Sequence, residues 1–159
     1  MNNIELITLS KDGAIFYSDQ IIDILDSDTI VSNPWTRQNV EIDLPGKWRY
    51  SSIAVSEDKV HGFCICSRKD LATVHIHKIY VHPLFLGYGL GKRLIAKMID
   101  VCMCDEITNI SLYTFISRKT AYNWYLKLGF EVSKTLDFNT RAFMIGKVAI
   151  IKRNLGETN

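Results

Sequence analysis

The sequence lacks any long hydrophobic run. No apolar stretch approaches the ~20 residues that a helix needs to cross a bilayer. Residues 1–7 include acidic and amide side chains instead of a basic start followed by an apolar run, so a signal peptide is not expected. These absences favour a cytoplasmic protein that has no membrane partner.

An excess of charge of one sign is also missing. The net charge is only +2 and no long run of Lys or Arg occurs, so the composition argues against nucleic-acid binding. Hydrophobic residues make up 47% of the chain, which is typical of globular proteins. Without internal repeats, low-complexity segments or linkers, the 159 residues predict a single domain over residues 1–159.

Cysteines are few, and their spacing does not suit a metal. The four form two C-x-C pairs, Cys64 with Cys66 and Cys102 with Cys104. Structural zinc sites usually have about two to four residues between paired cysteines. On a strand the first pair would share one face, whereas on a helix the second pair would point well apart. We therefore predict no metal site, and reduced, buried thiols.

What the sequence does have is one stretch with a clear local pattern, from residue 73 to residue 104. β-Branched, aromatic and His residues predict a strand over Thr73–Val81, and Pro83 ends it. Three glycines then alternate within residues 87–91, and a helix is predicted over Leu90–Cys104. Its apolar positions have the spacing of a helix packed on a sheet, and they are Leu90, Leu94, Ile95, Met98, Val101 and Cys102.

The glycines and the helix start together predict an anion site. Glycine lets the backbone approach a ligand with no side chain in the way. A helix N-terminus carries unpaired N–H groups and about half a positive charge, which suits a phosphate or pyrophosphate. The spacing here is G-x-G-x-G, and neither the dinucleotide pattern G-x-G-x-x-G nor the Walker pattern occurs. A nucleotide-binding protein of another class and a plain strand-to-helix turn remain alternatives.

The strings Ile-Tyr-Val-His-Pro (79–83) and Gly-Tyr-Gly-Leu-Gly-Lys-Arg-Leu (87–94) resemble the acyl-CoA loop of the GNAT superfamily of N-acetyltransferases. The family pattern is Val-x-Pro, two residues, Arg or Gln, Gly, x, Gly, aliphatic, Gly or Ala, x, x, Leu. This sequence departs from it at position 86, where Leu stands. The resemblance implies that the strand edge pairs with the pantetheine arm and that the loop amides bind the pyrophosphate. The cofactor-binding residues that it implies are Ile79, Tyr80, Val81, Gly87, Tyr88, Gly89, Leu90, Gly91 and Lys92.

A second motif of the family matches Tyr125–Phe130, in which an aromatic residue lies four positions before a helix-ending Gly. The resemblance implies that Tyr125 lies near the thioester sulfur and protonates the leaving thiolate. The alternative is a core residue whose O–H is bonded to the backbone. The family usually has Asn seven residues before this Tyr. Arg118 stands there instead, as a candidate for a coenzyme phosphate or as a solvated charge at a helix start.

A general base is less clearly marked. Many family members place a Glu on the fourth or fifth strand, but this sequence has His75, His77 and Lys78 on the fourth strand and Tyr113 at the matching fifth-strand position. His suits proton transfer near neutral pH. We therefore predict His77 as the base, on the same face as His75 and Ile79. A structural histidine, a water chain or an already neutral amine remains an alternative.

The other expected elements follow from local patterns. Strands are predicted at Ile4–Leu9, Trp48–Val55, Val60–Cys66, Asn109–Phe115, Phe130–Lys134 and Ala142–Lys152. A turn is predicted at Lys11–Gly13, short helices from Ser18 to about Asp26 and from Asn33, a helix at Thr120–Leu128 and a loose tail at Leu155–Asn159. The two strands before Thr73 should form an antiparallel meander with it, and the helix after it a right-handed parallel crossover.

These elements predict an α/β (α+β) fold, with a mixed, mostly antiparallel sheet of six or seven strands flanked by about four helices. The resemblance implies the acyl-CoA N-acyltransferase fold and direct transfer of acetyl from acetyl-CoA to a primary amine. The acceptor stays open among polyamine, aminoglycoside, amino acid and protein N-terminus, and the assembly between monomer and homodimer. The alternative function is a non-catalytic acyl-CoA-binding module.

Overall fold

A computed structural model describes residues 3–26 and 34–157. The strands are β1 (Glu5–Thr8), β2 (Ser52–Ser56), β3 (Lys59–Arg68), β4 (Thr73–Val81), β5 (Asn109–Phe115), β6 (Phe130–Leu136) and β7 (Arg141–Lys147). The helices are α1 (Lys11–Asp26), α2 (Arg37–Glu41), α3 (Lys47–Tyr50), α4 (Leu90–Cys104), α5 (Lys119–Leu128) and α6 (Val148–Glu157). The strands form one sheet in the order β1-β2-β3-β4-β5-β7-β6, in which only the β4–β5 pair is parallel. The predicted mixed, mostly antiparallel sheet is confirmed.

The first helix begins earlier than the sequence pattern predicts. Residues Lys11–Gly13 form its first turn, because the Oγ of Ser10 accepts the N–H three residues on, at 3.0 Å, and caps the helix. Ser18, the predicted cap, lies buried inside the helix. The predicted start of a second helix at Asn33 lies outside the described residues.

The predicted strand Trp48–Val55 is wrong over its first half. Gly46 adopts φ 70°, a left-handed conformation that starts α3, so β2 begins only at Ser52.

The predicted strand Ala142–Lys152 is likewise two elements. β7 ends at Lys147 and α6 takes residues 148–157, including much of the expected loose tail. Val148 and Ile151 are buried in the same core although they lie three residues apart, which is helical spacing. Packing therefore overrides the strand preference of the β-branched residues there.

Each face of the sheet carries its own apolar core. On one face α4, α5 and α6 pack against the strands and bury Leu94, Met98 and Phe130, among others. On the other face α1 and α2 cover the first strands and bury residues such as Ile21 and Phe63. The described members of this second core all come from residues 7–80, so that face of β5, β7 and β6 lies outside it.

β4 and β5 run together only briefly. Their parallel pairing covers Thr73–Ile76 and Asn109–Leu112. β3 stays paired with β4 as far as Val81. Beyond Ile76 and Leu112 the two parallel strands therefore separate, and the edge of β4 that faced β5 is left for another partner.

A β-bulge at His77 changes which face each residue of β4 occupies. Ile65 of β3 pairs with Lys78, but the next residue of β3 pairs with Ile76, so His77 is the extra residue. Ile79 consequently packs against the same core as Ile76. The predicted common face of His77 and Ile79 is therefore wrong, although His77 and His75 do share a face, with ring centroids 4.9 Å apart.

The short α3 is held by a fully buried lysine. Nζ of Lys47 donates to the carbonyl oxygens of Asn39, Val40 and Ile42 at 3.0, 2.8 and 2.8 Å. Its side chain has 0% exposure, and burial lowers its pKa to about 8. The ammonium group thus ties α3 to the end of α2.

The cysteines behave mostly as predicted. Cys64 and Cys66 are buried with their sulfur atoms 3.4 Å apart, as expected for a pair on one face. Cys102 is buried, but Cys104 is exposed, so the prediction of a buried thiol is wrong there.

Candidate active site

A cleft of about 740 Å³ opens where β4 leaves β5, between the N-terminal ends of α4 and α5. It brings together most of the residues that the family resemblance implies for coenzyme binding. The predicted residues that line it are Ile79, Tyr80, Val81, Gly87, Gly89, Leu90, Gly91, Lys92, Arg118 and Tyr125.

The loop before α4 forms a main-chain cradle. Gly87 and Gly89 have φ 83° and 79°, which other residues rarely adopt, and a Cβ at either would meet no atom within 4 Å. The first helical hydrogen bond is donated by the N–H of Arg93 to the carbonyl of Gly89 at 3.0 Å. The amides of residues 90–92 precede that bond and lie at the positive end of the helix dipole. The loop therefore fits a diphosphate, since neither glycine places a side chain beside its amides.

The third glycine has a different reason. Gly91 has ordinary helical geometry, but a Cβ there would lie 3.4 Å from the ring of Trp124. Because Trp124 also lines the cleft, Gly91 lets α4 and α5 approach closely enough to form its two walls.

The strand edge supplies the next part of the cleft. Ile79 and Val81 line it, on the part of β4 that has no β5 partner. An extended ligand with amide groups can hydrogen-bond to such an edge as an added strand would. The pantetheine arm of coenzyme A has two amides and suits this position.

Tyr125 lies in the wall of the cleft and in the core at the same time. Its side chain is 8% exposed, and its ring packs against Trp124 and Phe130 with centroids 5.4 and 5.7 Å away. Burial raises the pKa of the phenol above its ordinary value, while the nearby Arg118 acts in the opposite direction. The phenol therefore keeps its proton at neutral pH, as a general acid must.

Positive charge gathers where α5 begins. Arg118 is the N-cap of α5, and Lys119 and Lys92 also line the cleft. Arg118 lies against Phe115, with its Cζ 5.8 Å from the ring centroid. These three cations line the same cleft as the loop that would hold the diphosphate.

Several lining residues were missed from the sequence. Lys119, Thr120, Ala121 and Trp124 share a helix with Tyr125, and its helical spacing was a signal that could have found Ala121 and Trp124. Phe85 and Leu86 also line the cleft, although Leu86 occupies the position that departs from the family pattern and is 62% exposed.

Two predicted residues lie elsewhere. Tyr88 is 67% exposed and does not line the cleft. His77 also lies outside the lining, and its Nε2 is 2.7 Å from the Oγ of Ser67. Burial, and then the positive charge of Lys47, lower the pKa of His77 below its ordinary value. His77 is therefore neutral at pH 7, on the opposite face of the sheet from Tyr125.

Two further observations concern only the part of the chain that the structure describes. No helix there is both long and apolar enough to cross a bilayer. No three His, Cys, Asp or Glu side chains there come together as ligands for a metal ion.

The chain is similar to known acetyltransferases. An uncharacterized N-acetyltransferase of Methanocaldococcus jannaschii is 32% identical over 76 residues, which are 44% of this chain and 34% of that relative. The chain thus matches about a third of the relative's length. A GNAT-family acetyltransferase from Staphylococcus aureus has the same fold, with a TM-score of 0.74 and 19% identity over 92% of this chain and 99% of the other.

A second similar structure is a chain of the NatC complex bound to Gag peptide and CoA. It superposes with a TM-score of 0.73 and 22% identity, over 91% of this chain and 98% of that one. At these identities the two solved structures show the fold alone. The profile of the acetyltransferase (GNAT) family matches residues 18–130, which include the β4 edge, the glycine loop and Tyr125. The chain belongs to the GNAT family of acetyltransferases.

Proposed function

We propose that this protein transfers the acetyl group of acetyl-CoA to a primary amine. The observation that carries the proposal is the continuity of the cleft. A main-chain cradle for a diphosphate, a strand edge beyond the end of the β5 pairing and a protonated tyrosine all line this one cleft. They match the diphosphate, the pantetheine arm and the thioester of acetyl-CoA.

The reaction needs one bond made and one broken. The amine nitrogen attacks the thioester carbonyl, the C–S bond breaks, and the thiolate takes a proton from the O–H of Tyr125. The attacking nitrogen loses a proton, which we assign to His77 acting through water, because His77 is neutral and lies beside the gap between β4 and β5. Holding amine and thioester together in the gap lowers the barrier further, since the reaction becomes effectively unimolecular.

The test is a pair of measurements on the purified protein. Thermal unfolding with acetyl-CoA, CoA, ATP and NAD identifies the ligand, because a ligand at 100 times its Kd stabilises by ~2.7 kcal/mol. Release of CoA thiol in the presence of different primary amines then detects transfer. We expect stabilisation by acetyl-CoA and CoA only, and thiol release with at least one amine class. Stabilisation without thiol release for any amine would indicate the non-catalytic binding module instead.

The cradle gives a sharper prediction. Gly89→Ala should raise the KM for acetyl-CoA about tenfold, because a residue with a Cβ at φ 79° is strained by about 1–2 kcal/mol and shifts the amides that bind the diphosphate. Gly156→Ala is the matched control, since a Cβ there also meets no atom within 4 Å and the backbone conformation is not left-handed. The control should leave KM unchanged. An equal KM in all three proteins would contradict the proposed cradle.

A further inference from the structure

The face of the sheet opposite the cleft carries a row of rings. In order these are His77, His75, Tyr113 and Phe143, with successive centroids 4.9, 5.5 and 4.9 Å apart. We call these four residues the aromatic row. His77 and Tyr113 are the first residues of β4 and β5 beyond the last paired residues, so the row borders the gap between the two strands.

Cations gather at the far end of this row. Nζ of Lys69 lies 4.6 Å from the ring centroid of Phe143, and Nζ of Lys134 lies 5.6 Å from the same centroid. Lys69 follows β3 whereas Lys134 belongs to the edge strand β6, so the two ammonium groups reach one ring from different parts of the chain. Phe143 is only 7% exposed, while both lysines are exposed.

Neither ammonium group forms an ion pair with a carboxylate of the described residues. The pKa of Asp70 is lowered by the hydrogen bond from Ala72 and, to a smaller extent, by the charge of Lys69. Two nearby acids are engaged otherwise. Asp70 accepts the N–H of Ala72 at 2.9 Å, and Asp137 pairs with Arg141 at 2.6 Å. Like charges that converge on one ring repel each other. An anion placed between Lys69 and Lys134 would remove that repulsion and gain attraction from both.

With coenzyme in the cleft, this face is the free side from which an acceptor would enter. The cradle, the β4 edge and Tyr125 all border the cleft on the side of α4 and α5, so bound coenzyme fills that side. The gap between β4 and β5 opens on the other side next to His77 and Tyr113. A molecule whose amine reaches the thioester through the gap therefore extends over the aromatic row.

We propose that the acceptor is the free N-terminus of a peptide that carries a carboxylate side chain at its second or third residue, bound by Lys69 and Lys134 over Phe143. This proposal rests on the proposed function. Phe143 lies 4.9 Å beyond Tyr113, and the Lys69 ammonium group lies within a further 4.6 Å. An extended peptide covers about 3.3–3.6 Å per residue, so the second or third side chain reaches this point. The carboxylate of a free amino acid lies too close to its own amine to do so.

The test compares two peptides with free N-termini that are identical except for Asp or Asn at the second and third positions. We expect kcat/KM to favour the acidic peptide about tenfold, which corresponds to ~1.4 kcal/mol and is reasonable for two exposed ion pairs. In the double variant Lys69→Gln/Lys134→Gln this ratio should fall to near one. Lys127→Glu, a change of an exposed lysine on α5 outside the cleft lining, should keep the ratio.

The outcomes separate the two proposals. Equal kcat/KM for both peptides in the wild-type protein would overturn the anionic-peptide proposal and leave acetyl transfer standing. Faster acetylation of free aspartate than of either peptide would also overturn it. If no amine releases thiol, the proposed function fails. Fluorescence anisotropy with CoA present then still tests the anionic-peptide proposal. A labelled acidic peptide should bind at least fivefold tighter than the neutral one, and the double variant should lose this difference. Equal affinities in the wild-type protein would overturn the proposal.

Discussion

Replacing Tyr125 with Phe should lower kcat about a hundredfold while changing the KM for acetyl-CoA by no more than about threefold. The variant removes the O–H that protonates the leaving thiolate, and general acids of this kind contribute about 10²–10⁴ in rate. The ring remains, so the contacts with Trp124 and Phe130 are kept. Steady-state thiol release at saturating amine measures both constants.

Tyr122→Phe is the control for this prediction. Tyr122 lies on the same helix and packs against the same core, but it does not line the cleft. The control should keep wild-type kcat, and both variants should unfold at the wild-type temperature. If Tyr125→Phe kept kcat within threefold, the proton would have to come from another donor. Because burial raises the pKa of Tyr125, its proton should also remain available up to pH 10, so kcat should show no alkaline fall below that pH.

Lys47→Met should cost ~3 kcal/mol in the free energy of unfolding. The substitution leaves three carbonyl acceptors without their shared donor at a fully buried position, and a buried unsatisfied group costs about 1–3 kcal/mol. Urea unfolding measures the difference. Lys152→Met is the matched control, since Lys152 lies on the surface with Asp100 and should contribute less than ~0.5 kcal/mol. A loss below ~1 kcal/mol for Lys47→Met would mean that the carbonyl groups find water instead.

The same lysine gives a pH dependence with a definite sign. Its pKa is lowered from 10.5 in the unfolded chain to about 8 in the folded one. Between these two values the unfolded state binds more protons, so the stability of the wild type relative to Lys47→Met should rise with pH. The slope should not exceed ~1.4 kcal/mol per pH unit. A falling difference over this range would show that the three carbonyl groups raise the pKa instead.

The elements predicted best are those with local signals. The predicted bounds of β4, α4 and β5 agree with the structure, and Pro83 and the glycines mark the boundary between β4 and α4. The prediction failed where tertiary contacts decide. The β-branched residues of segment 148–151 predict a strand. The segment is nevertheless helical, because Val148 and Ile151 are both buried in the core that α4 and α5 share. A start of α1 at Lys11 depends on a cap from Ser10, and Gly13, which favours a turn, obscured this start in the sequence.

The candidate site likewise contains residues that a local pattern predicts and residues that only tertiary contacts position. The glycine loop could be predicted because its requirement is a backbone conformation, and Gly87 and Gly89 do adopt it. The lining by Tyr125 agrees with a family motif within one helix. The role of His77 remains a prediction. Its position depends on an extra residue in a strand, which leaves no mark in the alternation of residue types. The ring of Phe143 between two lysines joins segments far apart in sequence, and no local pattern could have found it.

The bulge at His77 also constrains how the chain can vary. Because of the extra residue, Ile76 and Ile79 contact the same core although they lie three positions apart, whereas in a regular strand residues three apart point to opposite faces. Pairing the same residues in a regular ladder, with His77 included, would turn Lys78 and Tyr80 toward the layer under α4 and Ile79 to the far side. Deletion of residue 77 would instead leave the pairs Ile65–Lys78 and Cys66–Ile76 as they are. The strand can therefore lose residue 77, but it cannot take that residue into the ladder without moving Ile79 out of the core.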